Sequence, residues 1–140
     1  MSVHALKAYQ SVDTDSRCAT ADKRDLIVMM YDAAINAIRL AAEHASRHED
    51  RAAGTAIARA VTVVSGLRDT LDKAQGGAVA EHLDDFYCFV IGRLMNSTGA
   101  TRQADLVECE DLLSQVREAW SVISPATAGA VNRRMFLVKS

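Results

Sequence analysis

Proline and long apolar stretches are almost absent from this chain. The only proline among its 140 residues is Pro125, so long helices can form without an internal proline break. No segment approaches the roughly 18 consecutive apolar residues that a membrane span requires. The first twenty residues also lack the apolar core of a secretory signal, which is about 7–15 residues long. The sequence therefore predicts neither a membrane-spanning nor a secreted protein.

Cysteine and excess charge are scarce as well. Cys18, Cys88 and Cys109 are odd in number and form no CxxC or Cys/His pattern, which favours reduced thiols in a cytoplasmic protein. The formal net charge is −2 and the pI is about 6.1, so no global positive field attracts nucleic acid. General DNA or RNA binding is thereby disfavoured.

What the chain does contain is helical periodicity. Alanine is the commonest residue, and apolar residues recur every three or four positions. This pattern predicts helices over about residues 20–48, 51–75 and 78–97, and a fourth one that Pro125 ends. The run VTVV at 61–64 belongs to the second helix, because no strand-like alternation flanks it. We expect an all-α, antiparallel four-helix bundle over residues 20–123, with an N-terminal arm (1–19) and a basic C-terminal tail (124–140).

The residue patterns of common catalytic and metal sites are missing. No glutamate has a histidine three residues later, as di-iron bundles require. His44 and His48 lie four residues apart and could hold a metal, but without further ligands we expect two exposed histidines. Gly76 and Gly77 are expected to cap the second helix rather than to bind phosphate, and Cys88 and Cys109 to be inert core thiols. We therefore predict a protein that is not an enzyme and has neither cofactor nor metal.

The remaining functional resource of such a bundle is its surface. Met29, Tyr31 and Phe89 lie beside the apolar stripes, where they either line a groove for an amphipathic helix or complete the core. Trp120 occupies a core position of the fourth helix. Two further interpretations stay open: an interaction or regulatory module for another helical partner, and contact of the basic tail with an anionic membrane.

Several short motifs follow one another in an order that resembles the flagellar secretion chaperone family, FliS. They are AYQ at 8–10, LIVMMYDAAI at 26–35, Leu71-Asp72, the Gly76-Gly77-x-x-Ala80-x-x-Leu83 series, Phe86-Tyr87, Arg93-Leu94 and REAW at 117–120. The chain departs from the family pattern in having Ala33 for glycine, Phe86 for leucine, and Ser97-Thr98 after the Arg-Leu pair. These departures could alter the shape of the groove and the flagellin that it accepts.

The resemblance implies a cytosolic export chaperone that binds the C-terminal segment of flagellin and prevents premature polymerisation. It also implies handover of flagellin to the flagellar type III export apparatus. It leaves open contact with the export gate and a homodimer of the free protein; no nucleic acid and no membrane are expected as partners. On these grounds the residues expected to bind the partner are Tyr9, Gln10, Met30, Tyr31, Asp32, Leu71, Asp72, Tyr87 and Leu94. Tyr9 and Gln10 are expected to cover the groove until flagellin arrives.

Overall fold

A computed structural model describes residues 19–122 of the chain, with the side chains of residues 24–74 and 76–122. All regular structure within this range is helical, as the periodicity predicted. The helices are α1 (Ala19–Ser46), α2 (Asp50–Asp69), α3 (Lys73–Met95) and α4 (Arg102–Val122), with one 3₁₀ turn (Gly99–Thr101) before α4. Apart from Ala19, which belongs to α1, the predicted arm (1–19) and the tail (124–140) lie outside the described residues.

The helices pack as a bundle whose two sides differ in closeness. Helix α1 packs closely against both α2 and α4, and α2 also packs against α3, whereas α3 contacts α4 less closely. Short connections make successive helices antiparallel. The α1/α2 face and the α3/α4 face therefore lie on opposite sides of the bundle, and the predicted fold class is confirmed.

The core is formed by the apolar stripes of all four helices. Val63 and Val64 of the VTVV run are fully buried within α2, so the helical prediction for this run is correct. Trp120 is only 4% exposed, in agreement with its predicted core position. The largest fully buried side chains are Tyr31, Tyr87, Ile38, Leu67, Leu94, Leu106, Leu113, Val63, Val64, Val90 and Cys109.

Helix α1 ends at Ser46, slightly before the predicted position. Its last turn is closed by the amides of His48 and Glu49, which donate to the carbonyl oxygens of Ala45 and His44 at 3.0 and 2.9 Å. His48 has a φ of 61°, the left-handed conformation that commonly terminates a helix. His44 and His48 consequently do not lie on consecutive turns of one helix.

The predicted end of α2 near residue 75 was wrong, since this helix ends at Asp69. The Thr70 hydroxyl donates to the Leu67 carbonyl oxygen at 2.6 Å, and the Thr70 amide donates to the same oxygen at 3.1 Å. The chain then leaves the helix and buries Leu71, which is 5% exposed. Thr70 therefore caps the helix in place of the expected Gly76 and Gly77. Hydrogen bonding of a threonine side chain to the nearby backbone competes with continuation of the helix, and the burial of Leu71 holds the chain in its new direction.

The glycine pair instead marks a kink near the start of α3. Gly77 has φ 56° and ψ −132°, so residues 73–76 form one turn that is set off from the regular helix beginning at Ala78. Only glycine adopts this backbone conformation without strain.

Substitution of Gly77 by alanine should destabilise the protein by about 1–3 kcal/mol through backbone strain alone, since no atom beyond the adjoining backbone and chain neighbours lies within 4 Å of the added methyl group. The matched control is Gly92→Ala in the regular part of α3, where the space is also empty. That change should stabilise the protein by up to about 1 kcal/mol. Chemical unfolding followed by circular dichroism measures both, and a stabilising Gly77→Ala change would contradict the kink.

The two described cysteines differ, which corrects the prediction that both are core thiols. Cys109 is fully buried, and burial raises the pKa of its thiol to about 11. Cys88, in contrast, is exposed. Cys88 directly follows the buried Tyr87, and neighbouring positions of a helix point in different directions. The apolar residues around Cys88 therefore did not indicate whether the Cys88 side chain itself is buried.

Candidate functional site

The line along which α3 faces α4 is located by the side chain of Arg93. Arg93 lies on α3, and its guanidinium donates a hydrogen bond to Asp105 Oδ1 of α4 at 3.2 Å. The same guanidinium also pairs with Glu108 of α4. Positions seven residues apart lie on nearly the same side of a helix. Val79 and Phe86 thus continue the line of Arg93 along α3, and Leu112 and Ala119 continue the line of Asp105 along α4. We call these six residues the seam.

Away from Arg93, the seam is apolar and incompletely filled. Phe86 and Leu112 are half-buried, and Val79 is 56% exposed. The Phe86 ring packs at 5.8 Å from the Tyr87 ring, which belongs to the core. Val79, Phe86, Leu112 and Ala119 thus form an exposed to half-buried apolar strip between the less closely packed helices α3 and α4, and we call this strip the apolar furrow.

Charged side chains close the other end of the seam. Besides its two carboxylate partners, Arg93 places its guanidinium carbon 5.0 Å from the centre of the Phe89 ring, a cation–π contact. Asp105 is largely buried beside it, with a side-chain exposure of 14%. The seam thus has a charged end near the α3–α4 connection and an apolar, partly exposed end opposite to it.

Beneath the seam, two tyrosines connect opposite helices through the core. The Tyr31 hydroxyl of α1 and the Tyr87 hydroxyl of α3 lie 2.7 Å apart, and both side chains are fully buried. Trp120 of α4 also hydrogen bonds to Tyr31. Burial raises the pKa of Tyr31 to about 12 and raises that of Tyr87 well above its usual value. Both phenols therefore stay neutral and serve to align three helices.

Two motif residues that are distant in sequence form an ion pair between α1 and α4. Arg117 Nε donates to Asp32 Oδ1 at 2.7 Å, and Arg117 Nη2 donates to Asp32 Oδ2 at 3.4 Å. The hydrogen bond from Arg117 to the Asp32 carboxylate raises the pKa of the guanidinium further. Asp32, which was expected to bind the partner, thus bridges two helices of the bundle.

A carboxylate that the sequence analysis missed joins α2 to α3. Asp84 is only 8% exposed and accepts hydrogen bonds from Arg68 of α2 and Lys73 of α3, with Lys73 Nζ 2.9 Å from Oδ2. The bonds from Arg68 first, and then Lys73, lower the pKa of the Asp84 carboxyl. Lys73 lies in the turn before the Gly77 kink, so Asp84 holds this turn against the bundle. The sequence did contain one signal for this buried carboxylate: Asp84 lies four positions after the buried Ala80 and therefore on the same face of the helix.

Asp84→Asn should lower the melting temperature at neutral pH, because the amide loses the charge that pairs with Arg68 and Lys73. The pKa of Asp84 is lower in the folded than in the unfolded chain. Its stabilising contribution is therefore complete above the unfolded pKa of about 3.9 and is lost as pH falls through the folded pKa. Melting curves of both proteins between pH 7 and 2.5 should converge in acid. A constant difference over this range would contradict the charge pairing.

The structure separates the nine predicted partner-binding residues into three groups. Met30, Tyr31, Leu71, Tyr87 and Leu94 are buried in the core, with exposures of 7% or less. Asp32 and Asp72 are half-buried, and Asp72 lies in the α2–α3 connection, where its carbonyl oxygen accepts the Gly76 amide at 2.7 Å. Tyr9 and Gln10 lie outside the described residues. Of the three residues suggested to line a groove or complete the core, Tyr31 is buried, Met29 is half-buried and Phe89 is 45% exposed.

The described residues form neither a metal-binding cluster nor a membrane-spanning helix. Between residues 19 and 122, no group of three or more His, Cys, Asp or Glu side chains is arranged to hold a metal ion. His44 Nδ1 lies instead 2.7 Å from Glu49 Oε1. In the same range, no helix is both long and apolar enough to cross a membrane.

Comparison with known proteins gives a consistent result over most of the chain. The model of the family described as flagellar protein FliS matches residues 5–127. The flagellar secretion chaperone FliS of Salmonella typhimurium is 33% identical over 121 residues, which cover 86% of this chain and 90% of the relative. FliSB of Pseudomonas aeruginosa, also a flagellar secretion chaperone, is 29% identical over 120 residues, covering 86% and 95%. The chain therefore belongs to the FliS family of flagellar secretion chaperones.

Proposed function

We propose that this protein is an export chaperone that binds the C-terminal helical segment of flagellin along the seam. The observation that carries the proposal is the apolar furrow between α3 and α4, where Val79 is exposed and Phe86 and Leu112 are half-buried. An amphipathic helix can cover such a furrow with its own apolar face. The relatives named flagellar secretion chaperones support flagellin as the occupant.

Shielding an amphipathic segment gives a physical reason for chaperone activity. The end of flagellin that builds the filament core must expose apolar stripes until it assembles, and exposed stripes of this kind promote association. Covering them on the seam prevents premature polymerisation. Because the segment folds as it binds, part of the binding free energy is spent on ordering it. The resulting moderate affinity permits release to the type III export apparatus. Because the chaperone acts on flagellin before export, its place of action is the cytoplasm.

Within this proposal, the N-terminal arm occupies the seam in the free protein. Tyr9 and Gln10 cover the apolar furrow and leave it when flagellin binds. Tyr9→Ala should then tighten flagellin binding, because the client no longer competes with the arm. The same change should leave binding unaltered if the arm has no contact with the seam.

The buried motif residues take a supporting role in the proposed mechanism. Met30, Tyr31, Leu71, Tyr87 and Leu94 are inaccessible in the described bundle, so they act through the packing of the core and not by direct contact with the client. Asp32 fixes α4 relative to α1 through Arg117. Asp72 lies in the connection that precedes α3 and positions the start of that helix. The proposed activity requires no catalytic group.

The deciding experiment is a calorimetric titration of the full chain with the C-terminal peptide of flagellin from the same organism, followed by circular dichroism. We expect one-to-one binding with a strongly negative heat-capacity change, since apolar surface is buried, and a gain in helicity. Absence of binding would overturn the proposal and favour another amphipathic-helix partner. Binding without gained helicity would contradict folding of the client on the seam.

A further inference from the structure

A second cleft lies on the side of the bundle opposite the seam, between α1 and α2. It has a volume of about 470 Å³ and is lined by Leu40, His44, Arg51, Ala52, Thr55, Ala56 and Arg59. Its apolar lining includes Leu40, which is 38% exposed, and two alanines, of which Ala56 is 2% exposed. Small side chains let the surface dip between the helices, so the cleft offers room for one apolar side chain of a partner.

The charged residues that line this cleft include Arg51 and Arg59. Within the described residues, neither Arg51 nor Arg59 has a carboxylate partner. Elsewhere in that range, the guanidinium of Arg39 pairs with Glu110, that of Arg47 with Glu43 and that of Arg117 with Asp32. Glu49, in the α1–α2 turn, is bonded to His44 of the cleft lining. The cleft therefore combines an apolar centre with two free guanidinium groups.

We propose that the α1/α2 cleft binds an acidic amphipathic helix of a partner protein other than the client on the seam. Arg51 and Arg59 are eight residues apart on one helix and therefore about 12 Å apart along its axis. Two carboxylates about two helical turns apart on a partner match this spacing, and one leucine-sized side chain between them can enter the cleft beside Leu40. Guanidinium groups bind carboxylates in a bidentate geometry, which favours this chemistry.

A peptide is favoured over other anionic partners by the shape of the site. An anionic membrane or a nucleic acid requires an extended basic surface, whereas this cleft carries two guanidinium groups and the chain has a net charge of −2. A concave apolar centre between two charges suits a single projecting side chain.

The proposal can be tested by nuclear magnetic resonance titration of the full-length, ¹⁵N-labelled protein. The probe is a synthetic alanine-based helical peptide with two glutamates seven residues apart and one leucine between them. We expect amide shifts at Leu40, Ala52 and Ala56 that weaken with added salt. Peptides with Glu→Gln or Leu→Ser should bind less tightly. Absence of shifts at millimolar peptide, or shifts confined to the seam, would overturn the proposal.

Variants with matched charge changes provide the decisive comparison. Arg51→Gln/Arg59→Gln should weaken binding of the glutamate peptide about tenfold, as expected for two solvent-exposed ion pairs. Arg39→Gln/Arg47→Gln removes the same charge from paired positions outside the cleft and should leave binding unchanged. Leu40→Asn should also weaken binding, whereas Val107→Asn, at another exposed apolar residue, should not. Equal losses of peptide affinity in both arginine variants would show that only the net charge of the protein matters, and would overturn the proposed site.

Three further readouts distinguish the proposed partner from other occupants. Flagellin binding should be unchanged in Arg51→Gln/Arg59→Gln. A loss of flagellin binding in this variant would show that flagellin itself occupies the cleft. Shifts at the cleft that depend on protein concentration without peptide would identify a second copy as the occupant. Binding to phosphatidylglycerol vesicles that requires Arg51 and Arg59, without peptide binding, would identify a membrane. Each of these results would overturn the proposal while leaving the seam proposal testable by calorimetry.

Discussion

Replacement of Trp120 by alanine should lower the free energy of unfolding by about 3–5 kcal/mol, the largest single-residue effect that we expect on stability. The indole is 4% exposed in the core and hydrogen bonds to Tyr31. Its removal would leave a cavity between α4 and α1 and would take away one partner of the buried tyrosine. Urea unfolding measures the loss, and it should be followed by circular dichroism because Trp120 is the sole tryptophan of the chain.

The control for this change is Val122→Ala on the same helix. Val122 is 73% exposed, so its truncation should alter stability by no more than about 0.5 kcal/mol. A loss below about 1 kcal/mol in Trp120→Ala, with an unchanged dependence on urea concentration, would show that the core does not depend on the indole. A changed dependence would indicate that the denatured state has been affected as well.

The double substitution Val79→Glu/Ala119→Glu should weaken binding of the C-terminal flagellin peptide by about 30–150-fold, which corresponds to about 2–3 kcal/mol. Both residues lie at the apolar end of the seam and are exposed in the free protein, so the carboxylates remain solvated until a client covers them. Binding would then remove charge from water without providing a partner. Calorimetric titration against the unaltered protein gives the difference directly.

Val107→Glu is the matched control, because Val107 is a 59% exposed apolar residue of α4 that does not belong to the seam. It adds negative charge to the same helix and should change the affinity little. Circular dichroism should show that all variants keep their helical content. Equal binding by the seam variant and the unaltered protein would reject the seam as the client site, while leaving family membership unaffected.

Local pattern was sufficient to predict the helices but not all of their ends. The three-and-four spacing of apolar residues identified all four helices and the core position of Trp120. It placed the end of α2 too late, because the hydrogen bonding of Thr70 and the burial of Leu71 interrupt a helix that periodicity alone would continue. Cys88 was wrongly assigned to the core because its neighbours follow the apolar pattern. Its own side chain is exposed.

The order of the motifs was enough to indicate the family, since such motifs can be compared without knowledge of three-dimensional contacts. Their roles depended on the tertiary structure. Tyr31 and Tyr87 are 56 residues apart in the chain, and Asp32 and Arg117 are 85 apart, yet each pair is in direct contact. No short-range pattern reports such contacts, because they depend on the rotation of each helix within the bundle. Sequence by itself therefore determined the helices, the apolar stripes and the family. The fold decided which motif residues are interior and which apolar residues stay exposed between α3 and α4, because packing assigns each side chain its neighbours.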